Sequence, residues 1–364
     1  MARSLFYSLF PTPPYLGMAS VGLDISDKSV RFLGFRQEKD GFRIDRFAEI
    51  KLDSGVVSSG KIKDEHKMKE VLSELKREHN LEFVRASLPE EQAYLFRMNV
   101  PPVKKSELRE SILLQLEEYV PIKAADAVFD YEIISQSSNG YEIEVSVTSS
   151  AVAESYTAIF RESGLVPISF EIEAQAIARS IVKKDDPGTY MIVDFGQART
   201  GISIVSAGTV FFTSTVEIGG VFLTEAIVKS FSVSEAEAEK IKRGNGLIRD
   251  KDKKKGEKDV FSVILNTIAV LRDEINRHYI YWHTHKESES REIRKIEKLI
   301  LCGGESNLKG LPDYLAKSMR VKVELGDVWV NVPRSRDYIP EIVFNDSLTY
   351  ATAIGLALAD TQYD

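Results

Sequence analysis

At 364 residues the chain exceeds what one ordinary hydrophobic core organises, so two domains, or one with insertions, are expected. Its 43% hydrophobic and 28% charged residues are those of a soluble globular protein, and a formal net charge of −7 argues against nucleic acid as a main partner. The single cysteine, Cys302, excludes an internal disulfide framework and fits a reducing cytosol; in an apolar strand it reads as a small buried residue rather than a nucleophile.

Residues 1–19, MARSLFYSLFPTPPYLGMA, mimic a signal peptide, but the apolar run is short, only Arg3 is basic, and Pro11, Pro13 and Pro14 interrupt it. They are expected to form a tail, and no later run approaches the ~18 apolar residues of a membrane span. A cytoplasmic chain is therefore expected. VGLDI and VRFLGF then form two strands around the turn SDKS, with FRIDRFAEIKL as a third. In the next segment Met68, Val71, Leu72 and Leu75 fall at helical spacing. A second module is expected from about Phe83: strands VRASLP and AYLFRMNVP, helix KKSELRESILLQLEEY, strands AVFDYEII and YEIEVSVTS around Ser138-Asn139-Gly140, and helix AVAESYTAIFRESG. That is an α+β unit of small-domain size. Strand PISFEIE and a helix from Glu173 follow.

From Thr189 the opening pattern returns as YMIVDFGQARTGISIV. Aligning Asp24 with Asp194 places an apolar residue at +1, a small one at +2 and an apolar one at +8, after an apolar strand in both copies. The repeat implies two similar domains facing one another. Helix GVFLTEAIVKSF comes next, then SVSEAEAEKIKRG, whose Ser234 and Glu237 form a capping-box pattern with Gly244 as the expected stop. RDKDKKKGEKD reads as a solvated charged loop. A long helix with Ile264, Ile268, Leu271 and Ile275 on one face leads through HTHKESESREIRK to strand KLIL, the turn Cys302-Gly303-Gly304 and another helix. LTYATAIGLALAD closes the chain as a small-residue helix suited to close packing.

Each chemical motif also has a plain structural reading. A strand–Asp–turn–strand hairpin can set backbone N–H groups around phosphate oxygens and aim a carboxylate at a hydrated Mg²⁺, but any β-turn carries Asp and Gly. The Gly303-Gly304 turn lets a phosphate or flat ring approach the backbone, or simply packs helix on sheet. Glu239 and Lys242 share a helical face, where an exposed ion pair is the ordinary outcome. His283 and His285 lack an acid or cysteine at metal-site spacing.

Taken in order, these features resemble the actin-like ATPase superfamily, and within it the FtsA/PilM family, on the side of the type IV pilus assembly proteins related to the division protein FtsA. The resemblance runs from about Ser20 to Ala359 and is carried by SLPEEQAYLFRMNVP with ELRESILLQLEEYVPI, by GLVPISFEIEAQAIAR, by VEIGGVFLTEAI with SEAEAEKIK, and by LRDEINRHYIYW. It implies an α/β actin-like ATPase fold: two ribonuclease-H-like domains around a nucleotide cleft, with an α+β subdomain inserted in the first. The implied division is 20–83 with 169–188 for the first domain and 84–168 for the insert. The second domain takes 189–231 with 298–364, and 232–297 its helical subdomain. ATP and Mg are the implied cofactors. Asp24 and Ser26 would stand in the first phosphate hairpin, and Asp194, Gly196 and Thr200 in the second. Asp24 and Asp194 would face Mg through water. Glu239 and Lys242 would reach the ribose and base, while Gly303, Gly304 and Asn307 would line the adenosine pocket. Glu173 is the candidate for orienting a water.

The chain departs from the family pattern where Ser26 replaces a usual glycine, Asp27 a usual small hydroxyl residue, and Glu305 a small residue. Added Cβ and negative charge near a polyanion favour binding over hydrolysis, so a slow ATPase at most is expected. The resemblance further implies a scaffold peripheral to the inner membrane, docking the N-terminal tail of a PilN-like membrane protein through peptide-type contacts beside the insert, with a homo-oligomer left open. A small-molecule kinase ranks lower, for want of a polar acceptor constellation. An FtsA-like filament former also ranks lower, because the chain stops at TQYD without a C-terminal amphipathic helix.

Overall fold

The computed structural model describes residues 20–249, 259–284, 294–335 and 337–359. The expected N-terminal tail, most of the charged loop and His285 lie outside the described residues. Strand β1 (Ser20–Ile25) is buried at every position, as a central strand covered on both faces must be. It pairs antiparallel with β2 (Ser29–Glu38), which pairs with β3 (Gly41–Lys51). A short hairpin, β4 (Val57–Ser58) and β5 (Lys61–Ile62), precedes helix α1 (Glu65–His79). Asp64 caps α1 by accepting from the Lys67 amide, and the expected stripe of Met68, Val71, Leu72 and Leu75 is buried.

Strand β6 (Phe83–Leu88) runs parallel to β1 in the same sheet. A single helical turn, Glu90–Gln92, leads into β7 (Ala93–Val100), helix α2 (Leu108–Tyr119), β8 (Ala127–Ser137) and β9 (Gly140–Ser149). These last strands form a separate sheet in the order β7-β9-β8, with a core of its own that includes Met98, Ile112, Leu116, Ile143 and Val145. Helix α3 (Ser150–Glu162) then returns to the first core through Tyr156, Ile159 and Phe160, and β10 (Val166–Ile172) pairs with β6. The expected insert of 84–168 is therefore too wide. Its first strand and last helix belong to the first domain, because the strand pairs in the first large sheet and their apolar residues are buried in the first core.

After α4 (Glu173–Ile181), strands β11 (Thr189–Phe195), β12 (Thr200–Ser206) and β13 (Thr209–Val216) repeat the opening meander. Helices α5 (Gly220–Phe231), α6 (Glu235–Asn245) and α7 (Val260–Thr284) precede β14 (Lys298–Cys302), α8 (Leu311–Met319) and β15 (Lys322–Leu325). The two large sheets have one topology: β3-β2-β1-β6-β10 matches β13-β12-β11-β14-β15, each a three-stranded meander followed by two parallel strands. Ser234 caps α6 as expected, but the helix runs through Gly244 and ends at Gly246, whose φ of 58° is one that L-residues rarely adopt.

Helix α9 (Phe344–Ser347) and the wholly buried α10 (Ala351–Leu358) end the described chain. Placing 298–364 in the second domain needs correction, because α10 packs on β1 and α4 within the first core. Gly22 and Gly355 permit that contact. A Cβ on Gly22 would lie 2.0 Å from the Ala353 carbonyl oxygen, and one on Gly355 would lie 1.8 Å from that of Ala176. Helices α4 and α10 thus occupy the layer between the two sheets. Tyr190 and Ile192 of β11 face this layer, while Met191 and Val193 face the outer core of α5, α7 and α8.

Candidate functional site

Between the paired sheets lies a cavity of about 850 Å³. Of the residues singled out in sequence, Asp24, Ser26, Glu173, Asp194, Gly196, Glu239, Lys242, Gly303, Gly304 and Asn307 all line it. Thr200 does not. Its side chain is buried and its hydroxyl donates to the Ile218 carbonyl at 2.6 Å, which holds the start of β12 and faces no ligand space.

The repeat places Asp24 and Asp194 at matching strand ends, each on the central strand of its sheet and beside the first parallel strand, β6 or β14. Ser87 donates to Asp24 Oδ1 at 2.8 Å, and Cys302 stands opposite Asp194 in the ladder. Burial raises Asp24, with Arg31, Ser87 and Arg199 opposing. Burial and the facing Asp24 charge push Asp194 to about 6. Cys302 is itself buried, and burial with the Asp194 charge holds its thiol well above the ordinary range, so it is no nucleophile.

Ser26 is not strained: its φ is negative, its amide donates to the Ser29 carbonyl at 2.9 Å, and its hydroxyl donates to the same oxygen at 3.0 Å. The Ser29 amide in turn donates to Ser26 Oγ at 3.2 Å. Serine thus closes this hairpin by itself, where Gly196 does so in the second by donating its amide to Arg199 O at 2.9 Å. Gly303 has no substitute, since its φ is 81° and a Cβ would lie 2.3 Å from Asp194 Oδ1.

Glu239 and Lys242 are no surface pair. Lys242 is 1% exposed, and its Nζ lies 2.8 Å from Glu239 and 2.9 Å from Glu305. Glu305, which looked like surplus charge, is the second counter-ion of a buried lysine. Burial raises Glu305 against the pull of Lys242. For Glu239, hydrogen bonds from Lys242, Arg243 and Thr224 outweigh burial and hold its carboxyl below the ordinary range. Asn307 donates to the Asn345 carbonyl at 2.7 Å, while its Oδ1 is buried with no partner among the described residues.

Sequence patterns missed the inner end of the cavity. Glu90, in the turn after β6, is pushed to about 8 by burial, then by Asp194 and Glu91. Arg199, in the second hairpin, forms ion pairs with Asp27, Glu91 and Glu173 of the first half. Burial lifts Glu173 well above the ordinary range even with Arg199 beside it. The signal for Glu90 and Glu91 was the internal repeat, since they follow β6 as the glycine turn follows β14. Among the described residues no group of three or more His, Cys, Asp or Glu side chains is placed to hold a metal ion directly. His283 is engaged locally, with Nδ1 2.7 Å from the Tyr279 carbonyl.

Two sheets of one topology, facing acidic hairpins and a shared interlayer of helices define a two-domain, actin-like α/β fold. Solved structures of that class agree. The ethanolamine utilization protein EutJ of Carboxydothermus hydrogenoformans matches at a TM-score of 0.55 and 16% identity, covering 96% of this chain and 91% of EutJ. MreB5 of Spiroplasma citri, in its ADP-bound form, matches at 0.55 and 12%, covering 94% and 96%. A PilM–PilN type IV pilus biogenesis complex contains a chain that matches at 0.78 and 20%, covering 94% of this chain and 98% of that one. The family model of type IV pilus assembly protein PilM matches residues 22–361, and the chain belongs to that family.

Proposed function

We propose that this protein is an ATP-binding scaffold of a type IV pilus, or a related secretion or competence, assembly machine. In this reading it docks the cytoplasmic N-terminal tail of a PilN-like inner-membrane protein beside its inserted unit. It would work at the cytoplasmic face of that membrane, held there by the partner; no helix among the described residues is long and apolar enough to cross a membrane.

The observation that carries the nucleotide half is the pair Asp24 and Asp194, on repeated hairpins, facing one cavity. Their mutual repulsion, with Glu90 behind them, leaves an acid excess that a hydrated divalent cation carried by a polyphosphate would relieve. The buried, unpartnered Asn307 Oδ1 supports a ligand with a donor there, such as the exocyclic amine of a purine. Bound Mg²⁺ would supply charge neutralisation at the phosphates, with Asp24 and Asp194 holding its water shell. Hydrolysis is disfavoured because Glu173, the candidate for orienting a water, already faces the Arg199 guanidinium at 3.8 Å. Membership of the PilM family and the likeness to the PilM–PilN complex chain support the partner half.

Calorimetric titration of Mg-ATP into wild type and Asp194→Ala tests the first half: saturable binding lost in the variant is expected, and no binding by wild type would end the nucleotide reading. Retention of a PilN-like N-terminal peptide on the immobilised protein tests the second. Failure to retain it would leave the scaffold without its partner.

A further inference from the structure

Arg199 rises from the second hairpin, yet all the carboxylates that it reaches belong to the first half of the molecule. Asp27 is in the first hairpin turn, Glu91 in the turn after β6, and Glu173 at the first residue of α4. Nη1 lies 3.3 Å from Asp27 and forms a close pair with Glu91, and Nη2 lies 3.8 Å from Glu173. The guanidinium is only 15% exposed, lines the cavity, and acts on both Asp24 and Asp194, which puts it between the two hairpins.

The acids it holds are tied onward. Asp27 accepts from the Ser59 and Gly60 amides at 3.2 and 3.1 Å. Glu91 is followed by Gln92, whose Nε2 donates to the Ser59 carbonyl at 2.9 Å and whose own carbonyl accepts from Thr148 of β9 at 2.6 Å. The next residue, Ala93, begins β7 of the inserted sheet. One guanidinium therefore pairs, by charge and without a hydrogen bond at Nη1, with the chain where it enters the inserted unit.

We propose that Arg199 reads a terminal phosphate in the cleft and is the latch that passes its presence to the inserted unit. A buried arginine surrounded by acids adds little net stability, but its forked donors fit phosphate as well as carboxylate. A terminal phosphate reaching the inner end competes for that fork, draws Arg199 off Glu91, and lets the Glu90–Gln92 turn move with β7. A diphosphate, one group shorter, leaves the latch shut. This inference rests on the nucleotide reading above.

The test uses the full chain, with calorimetry of Mg-ADP and a non-hydrolysable Mg-ATP analogue and hydrogen exchange of residues 90–100. Wild type is expected to favour the triphosphate by roughly tenfold, the worth of one charge-assisted contact, and to exchange faster in that segment only with the triphosphate. Arg199→Gln is expected to bind ADP still but to lose both the preference and the exchange response. Glu91→Gln, which frees the fork without removing it, is expected to strengthen the preference and guards against misfolding of the first variant. If wild type binds neither nucleotide, the nucleotide reading falls and takes this one with it. If wild type binds both, and the preference and exchange response survive in Arg199→Gln or are untouched by Glu91→Gln, the latch alone is overturned.

Discussion

Ser26 and Lys242 show how much a residue's meaning depends on what surrounds it. Ser26 stands where a glycine was expected, yet no left-handed backbone is needed there and the hydroxyl completes the turn. Ser26→Ala is expected to cost about 1 kcal/mol, the usual worth of such a bond, in chemical denaturation. Lys242 lies at the other extreme. Were it an exposed pair with Glu239, its loss would be nearly silent; buried between Glu239 and Glu305, its removal leaves two acids without their cation. Lys242→Met is expected to lower unfolding free energy by about 3 kcal/mol, and adding Glu305→Gln to restore part of it. Equal stability of Lys242→Met and wild type would return the pair to the surface.

At the scale of elements, α10 carries the chain from the second half back into the first core. Its small residues, ATAIGLAL, read as a close-packing helix, but nothing in them says against what. The structure inserts it between β1 and α4, with Arg179 donating to the Gly355 carbonyl at 2.9 Å. Gly355→Ala has no free volume to enter, so a loss of about 3 kcal/mol is expected, at the upper end for overpacking, with a lowered thermal midpoint. A wild-type midpoint for this variant would mean that α10 sits elsewhere. The inserted unit makes the same point in reverse. Its strands and helix were legible from alternation and spacing, whereas Phe83–Leu88 looked like part of it only because it is adjacent in sequence.

Across the whole molecule, two buried acids of the cleft, Asp194 and Glu90, hold their protons to higher pH than free carboxyls, and this couples stability to pH. Asp194 moves from an ordinary 3.8 to about 6, and Glu90 from 4.5 to about 8. Both bind protons more tightly when folded, so the folded state holds more protons than the unfolded one between those limits. Their contribution therefore falls as pH rises from about 4 to about 8, opposite to a salt-bridged carboxylate. The thermal midpoint of the ligand-free protein is expected to drop between about pH 4 and about pH 8, less so above about pH 6 in Glu90→Gln, and Mg-ATP to flatten the drop. An identical pH profile in Glu90→Gln would show that Glu90 titrates normally.

The amino-acid sequence by itself determined the local elements, the internal repeat and the pairing of Asp24 with Asp194 as matching positions of the cleft. Each of these is written in short-range periodicity or in the recurrence of one pattern around Asp24 and Asp194. Asp24 at the end of its buried strand is the clearest case, with Asp194 in register 170 residues on by simple subtraction of their numbers. Only the tertiary structure decided that Thr200 faces a carbonyl, that Glu305 neutralises Lys242, that α10 crosses to the first core, and that Arg199 grips three acids from the opposite half. The physical reason is the same in every case. A side chain's charge state and role depend on burial and on partners brought together by long-range packing, and sequence spacing carries no record of either.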